Sequence, residues 1–298
     1  YLPSLNLSFQ LPAEQFVRFG AGRQMARPRM DDLRVNSDVF FDQGTSGSLP
    51  PEWQKPHWVR TGGNAELKPW LANAYDLSYE KYFGGTKGYV SAAFFYKDLR
   101  TYIYNQTGTF DIRDTDLPVS LYPLGVDPIG RFVRPANGEG GMIKGLELAV
   151  SVPFEMLWSP LEGFGIQANY SDTTSSIQPQ GPDFPNEPLP GLSKYVSNVT
   201  LYFERWGFSA RASQRHRSQF VGEVQGFGGD RTKIAFGGET VTDVQLGYTF
   251  QYGPLENLSV LLQVNNLGNE PFRTESDGRP NTFSEFGRTY LFGVNYRF

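Results

Sequence analysis

The chain has 298 residues, a formal net charge of −4, 39% hydrophobic and 15% aromatic residues, and only 19% charged ones. With no cysteine and two histidines it excludes a disulfide framework, a thiolate metal centre and a His-rich metal site. A weakly acidic balance with no basic patch interleaved with aromatics excludes a nucleic-acid surface. No apolar run reaches the roughly 18 residues of a transmembrane helix. The mean hydropathy of −0.41 reads as soluble, but alternating lipid-facing and lumen-facing residues cancel in such an average.

Period-two alternation recurs where helical patterns are absent, and predicts eleven strands: 4–11, 15–25, 69–83, 87–106, 140–154, 163–175, 192–205, 206–220, 239–252, 257–267 and 286–298. The first lies in YLPSLNLSFQ, which shows no Met, basic segment or apolar leader core. The chain therefore opens inside a strand, and the expectation is a fragment. The fourth strand, GYVSAAFFYKDL, is ambiguous in phase. The fifth sets Leu146, Leu148, Val150 and Val152 opposite Glu147 and Ser151. The sixth sets Phe164, Ile166, Ala168 and Tyr170 opposite Gln167, Asn169 and Ser171. The ninth sets Val244, Leu246, Tyr248 and Phe250 opposite Asp243, Gln245, Gly247 and Thr249. The last sets Tyr290, Phe292, Val294, Tyr296 and Phe298 opposite smaller or polar residues. Many of these strands exceed the five or six residues usual in soluble proteins and match the about 9–11 of a tilted membrane crossing.

The connections sort by parity. Short turns (PAE, GGTK, RWG, GPLEN) alternate with long stretches at 26–68, 107–139, 176–191, 221–238 and 268–285. In an up-and-down sheet alternate connections lie at opposite ends, so one end carries tight turns and the other long loops. That asymmetry predicts an all-β, antiparallel, up-and-down transmembrane barrel segment in an outer membrane, with short turns and C-terminus periplasmic and long loops extracellular. The Gly-rich stretch 221–238 is expected to be mobile, and its GFGG lacks the strand–turn–helix context of a nucleotide loop.

VNNLGNEPFRTE followed by EFGRTYLFGVNYRF resembles the C-terminus of TonB-dependent outer-membrane receptors. LPSLNLSFQL, VRFGAGRQMARPRMDDL, AELKPWLANAYDLSYEKYF, AAFFYKDLRTYI and IKGLELAVSVPF agree with it. The variant resembles the Caulobacter- and Xanthomonas-type branch often associated with carbohydrate uptake. The resemblance implies a plugged barrel of about 22 strands. Residues 1–298 would be its C-terminal portion, without the plug, the TonB box or the first half-barrel. It implies active uptake of a scarce ligand, a carbohydrate or, alternatively, a siderophore or other metal chelate, with no enzymatic step and no cofactor. A passive porin and a soluble carbohydrate-binding β protein are the rival readings. Implied partners are outer-membrane lipid, the plug and N-terminal half-barrel of the same protein, the TonB complex acting through that plug, the barrel-assembly machinery and a small ligand. Tyr290, Phe292, Val294, Tyr296 and Phe298 would carry the assembly signal.

By parity Arg18, Asp76, Glu80, Glu147, Arg211, Arg215, Asp243, Arg288 and Arg297 would face the lumen and meet the plug or water. In the loops, Trp53, His57, Trp58 and Arg60 offer rings to stack on a sugar or aromatic ligand and a cation to bond it, and Arg131 and Arg134 could meet an anion. His216 with Ser213 and Ser218 is the closest approach to a hydrolase constellation, but its parity points it at the membrane rim, away from Arg215.

Overall fold

The computed structural model describes residues 1–44, 51–84, 87–118, 120, 122–123, 125–178, 185–225, 231–276 and 278–297. Its strands in chain order are β1 (Ser4–Leu11), β2 (Gln15–Ala26), β3 (Ser37–Asp42), β4 (His57–Gly62), β5 (Trp70–Phe83), β6 (Gly88–Asp111), β7 (Ile129–Pro153), β8 (Phe164–Ile177), β9 (Tyr195–Arg205), β10 (Phe208–Arg217), β11 (Phe220–Gln225), β12 (Arg231–Phe236), β13 (Glu239–Thr249), β14 (Leu258–Asn265), β15 (Phe272–Ser276), β16 (Arg279–Ser284) and β17 (Thr289–Tyr296). Helical structure among the described residues is confined to short 3-10 turns.

A 13-stranded sheet carries the wall in the order β1-β2-β5-β6-β7-β8-β9-β10-β13-β14-β17. Every neighbouring pair along that order is antiparallel. These are the eleven strands expected from the alternation. The sheet does not close, because β1 and β17 each have a single neighbour.

Local chemistry explains the tight end. β9 turns into β10 across Trp206 and Gly207, both at positive φ (57° and 80°), with Arg205 paired to Phe208. Two left-handed residues match the right-handed twist of the flanking strands. Ala13 and Glu14 take positive φ in the β1–β2 turn in the same way.

The register resolves the ambiguous strand. Val90, Ala92, Phe94 and Tyr96 pair with Val150, Leu148, Leu146 and Lys144, while Phe95 pairs with Gly145 on the other face. A Cβ at Gly145 would lie 2.6 Å from the Phe95 ring. The glycine thus makes room for an inward aromatic, which is why both phases of β6 carry one.

The long connections differ from simple loops. β3 and β4 form an antiparallel hairpin within 26–68, and β4 then pairs in parallel with β7 (Val59↔Arg131 to Thr61↔Val133). Within 107–139 the wall strands continue, so β6 and β7 reach 24 and 25 residues and stay paired to Asp111↔Ile129. Pro135 falls in the interval between the pairing of β7 with β4 and with β8, where a residue without an N–H is tolerated. β11 and β12 pair as a hairpin on the flanks of the Gly-rich stretch, which corrects the expectation of one mobile loop; the GFGG itself lies outside the described residues. β11, β12, β15 and β16 make a separate 4-stranded sheet. Phe236 joins its two hairpins, stacked on Phe220 (centroids 4.8 Å apart) and edge-on to Phe272 (6.1 Å).

The buried side chains collect at this end. The largest fully buried ones are Ile112, Ile177 and Val59, all beyond the apolar stretch of the wall. The wall is a single layer and has no hydrophobic core of its own.

At the tip of the β6 arm, Asp111 accepts from the Arg113 backbone N–H (2.9 Å) and guanidinium Nε (2.9 Å). The guanidinium first, and then the amide, hold this exposed carboxyl below the ordinary carboxylate range. A depressed native value means a contribution that is present above the unfolded value and lost as pH falls through the native one. Protection of the Arg113 amide from hydrogen exchange is therefore expected to persist down to about pH 4 and to fail only below it. Loss of protection well above that pH would contradict the pairing.

Candidate functional site: two faces and a loop-end cavity

The ladder register sorts the wall residues without reference to exposure. One row runs Leu7–Phe19–Leu77–Phe94–Leu146 from β1 to β7. Another runs Phe164–Phe203–Ala210–Leu246–Leu262–Phe292 from β8 to β17. This face is apolar on every strand and turned to the surroundings: Leu77 is 50% exposed, Leu201 50% and Phe292 75%. Rings rim it at both ends. Tyr75–Tyr96 and Tyr170–Tyr195 are neighbours at the long-loop end (6.5 and 6.4 Å), and Phe164, Phe203, Trp206 and Phe208 cluster at the short-turn end. An apolar band between aromatic girdles is the outer surface of a membrane barrel.

The opposite face holds seven of the residues assigned to it from parity. Arg18 forms an ion pair with Glu80, whose other oxygen accepts from Tyr82 Oη (3.0 Å). Arg211 reaches Glu204 (2.5 Å) and Arg215 reaches Glu239 (4.0 Å). Asp243 Oδ1 accepts from the Asn266 N–H (2.8 Å) and so fixes the chain after β14. Asp76, between Gly20 and Phe95, and Glu147, between Ala93 and Ser171, have no ion-pair partner among the described residues.

Two placements differ. Arg288 precedes β17 and follows Gly287 at φ +77°; its Nε donates to Leu267 O (2.7 Å), so it braces a loop instead of lining the wall. Arg297 follows β17, and its backbone N–H bonds Asn257 O. Tyr290, Phe292, Val294 and Tyr296 lie together on the apolar face of β17; Phe298 lies outside the described residues.

At the long-loop end the rings divide from the cations. Trp58 is 6% exposed, held edge-on by Phe41 (5.2 Å) and Tyr122 (5.9 Å). His57 is 2% exposed, beside Trp53 (5.1 Å), with Nδ1 on Lys55 O (2.8 Å). Burial of Trp58 and His57 inside the structure corrects their assignment as a stacking surface, while Trp53 stays half-buried beside His57. His57 Nε2 and Arg131 Nε are buried with no hydrogen-bond partner among the described residues. Arg60, opposite Phe132 within the parallel β4–β7 pairing, and Arg134, one residue past it on β7, instead remain exposed and line one open cavity of about 390 Å³. Its other walls include Ser37, Thr109, Phe110, Phe132 and Val133. Ser37 accepts from Arg60 Nε (3.1 Å), and the Arg134 guanidinium lies 5.4 Å over the Phe132 ring. Phe110 and Phe132 escaped the sequence reading because they sit in what read as loop.

A family model described as TonB dependent receptor-like, beta-barrel matches residues 1–267. The chain belongs to this TonB-dependent receptor family. The family resides in the Gram-negative outer membrane, and its members are transport proteins, not enzymes. No curated protein matches the sequence. Among solved structures the chain is similar to the siderophore receptor PirA of Acinetobacter baumannii (TM-score 0.64, 15% identity, 100% of this chain and 41% of that one). It is similar to a mutant of the ferric enterobactin receptor PfeA of Pseudomonas aeruginosa (0.62, 15%, 98% and 39%). It also resembles the FrpB iron transporter of Neisseria meningitidis (0.58, 16%, 100% and 39%). At such identities the likeness is one of fold. The chain spans about two-fifths of the length of these receptors. The TonB-dependent fold accounts for a wall with one apolar and one polar face, the polar one bearing Arg18, Glu80, Glu147, Arg211 and Arg215.

Proposed function

We propose that the chain is the C-terminal part of the barrel of a TonB-dependent importer, and that its loop end captures an anionic, ring-bearing metal chelate of the siderophore class. The cavity between β4, β6 and β7 carries this reading: two guanidinium groups and two phenyl rings face one space. Guanidinium forks suit oxyanions such as carboxylate or catecholate, and the phenyl faces suit the ligand's flat rings. The solved proteins of like fold are a ferric enterobactin receptor, a siderophore receptor and an iron transporter. Carbohydrate capture has less support, since Trp58, the ring best suited to stack on a sugar, is packed away.

The eleven wall strands are about half of a 22-strand transporter barrel. The open edges at β1 and β17 would pair with the remaining strands, because lipid tolerates no free edge. The plug would lie against the inward face, where Asp76 and Glu147 offer carboxylates with no ion-pair partner among the described residues. TonB would act through that plug, and the outward row of β17 would be read during assembly.

The test uses the full-length receptor and ferric enterobactin as probe. Replacing Arg60 and Arg134 together by Ala is expected to weaken binding at least about tenfold, because each charge-assisted bond is worth roughly 1.5–3 kcal/mol. Unchanged chelate affinity in a folded double variant would remove the cavity from the capture site.

A further inference from the structure

On the outward face, just beyond the apolar band at the long-loop end, four cations gather: Arg23, Arg100, Lys144 and Lys194. Lys144 is paired across the ladder with Tyr96, in the tyrosine row. Arg23 pairs with Asn73, one outward position beyond Tyr75, and donates to Asn73 Oδ1 (3.0 Å). Lys194 lies 4.8 Å over the Tyr195 ring. All four are exposed. The carboxylates nearby are Asp98, bridged to Arg100 at 3.2 Å, and Asp172, paired with Tyr195. Arg23, Lys144 and Lys194 form no ion pair among the described residues. At the short-turn rim Arg205 is bound to Glu162 (2.6 Å) and stacked on Trp206 (4.3 Å).

We propose that Arg23, Arg100, Lys144 and Lys194 form a belt that binds phosphate groups of outer-leaflet lipid headgroups. Tyrosines of an interfacial girdle sit at headgroup level, so cations at or just above them stand at phosphate depth. Four cations against two carboxylates leave the belt net positive, and a phosphate-bearing lipid surface supplies the complementary charge. The inference rests on the reading of this face as lipid-facing and deepens it by naming the headgroup chemistry.

The full-length receptor in detergent, titrated with phosphatidate or with phosphatidylcholine and read by native mass spectrometry, tests the belt. Lys144→Gln is expected to weaken the first phosphatidate association about fivefold, and Lys144→Gln with Lys194→Gln by about fivefold more, each cation near a headgroup phosphate being worth about 1 kcal/mol. Lys144→Arg retains the affinity. Lys81→Gln, on the same face at the short-turn end, leaves it unchanged. Phosphatidylcholine association is the same in all variants. Undiminished phosphatidate affinity in folded variants would overturn the belt, and so would displacement of phosphatidate by equimolar inorganic phosphate, which would mark a free-anion site. Should the double variant fail to show the heat-modifiable migration of a folded barrel, the single Lys144→Gln decides. Absence of that migration in the wild type would instead contradict the barrel reading itself.

Discussion

Leu148→Arg is expected to destabilise the full-length receptor in vesicles by about 2–4 kcal/mol, the cost of an arginine at the lipid-facing midplane of a barrel. Leu148 lies in the outward apolar series Leu146, Leu148, Val150 and Val152 of β7, is 41% exposed, and is flanked by Ala92 and Tyr170. Its water-accessible area is lipid-accessible area in the membrane, so the substitution buries a charge in hydrocarbon. Glu147→Gln, one residue away on the inward face, is expected to change stability by no more than about 0.5 kcal/mol. Denaturant unfolding in vesicles separates the two, and equal costs would contradict the assignment of faces.

Trp58→Ala is expected to cost about 3–5 kcal/mol locally, as buried Trp-to-Ala changes do. The ring fills the space between Phe41 and Tyr122, next to the parallel pairing of β4 with β7 that begins at Val59. The loss should appear as faster hydrogen exchange in β3 and β4, with the wall strands β8–β10 unaffected. Trp58→Phe should recover most of the protection. A protein that keeps full protection but loses ligand would instead put Trp58 at the ligand surface.

The wall was legible because its strands, β6 apart, have one apolar and one polar face, and an alternation of period two survives in the sequence. β1, for example, was read to its observed ends. The strands beyond the membrane left no such trace. In β4, His57, Trp58 and Val59 are all buried, because hairpin, arm and turn enclose both sides of the strand. A strand covered on both faces does not alternate. β16 fails in the opposite way, since nearly all of it is exposed and nothing imposes a period. The β6–β7 arm read as loop because its Gly and Pro content marks turns, yet Gly130 and Gly138 sit inside β7 where neighbouring segments come close.

The candidate site divides on similar grounds. Arg60 and Arg134 could be named from sequence as loop cations. Their meeting in one cavity depends on the parallel pairing of β4 with β7, a contact between residues about 70 apart that composition does not foretell. Trp58 shows the converse. A tryptophan in a long loop serves equally to pack that loop or to meet a ligand, and only the positions of Phe41 and Tyr122 decide between them. Arg288 was misplaced because the strand was extended through Gly287, whose left-handed conformation ends the extended run.

The two-faced wall is tested most directly by single cysteines along β13, since the chain has no cysteine of its own. The full-length receptor in vesicles would carry a thiol at each position from Asp243 to Tyr248 in turn. Each would be probed with a water-soluble maleimide and with a fluorophore quenched by labelled lipid. Lipid quenching is expected at positions 244, 246 and 248, and aqueous labelling at 243, 245 and 247, with no position showing both. Quenching that ignores parity, or falls on the odd positions, would contradict the barrel wall from which the rest of the account is built.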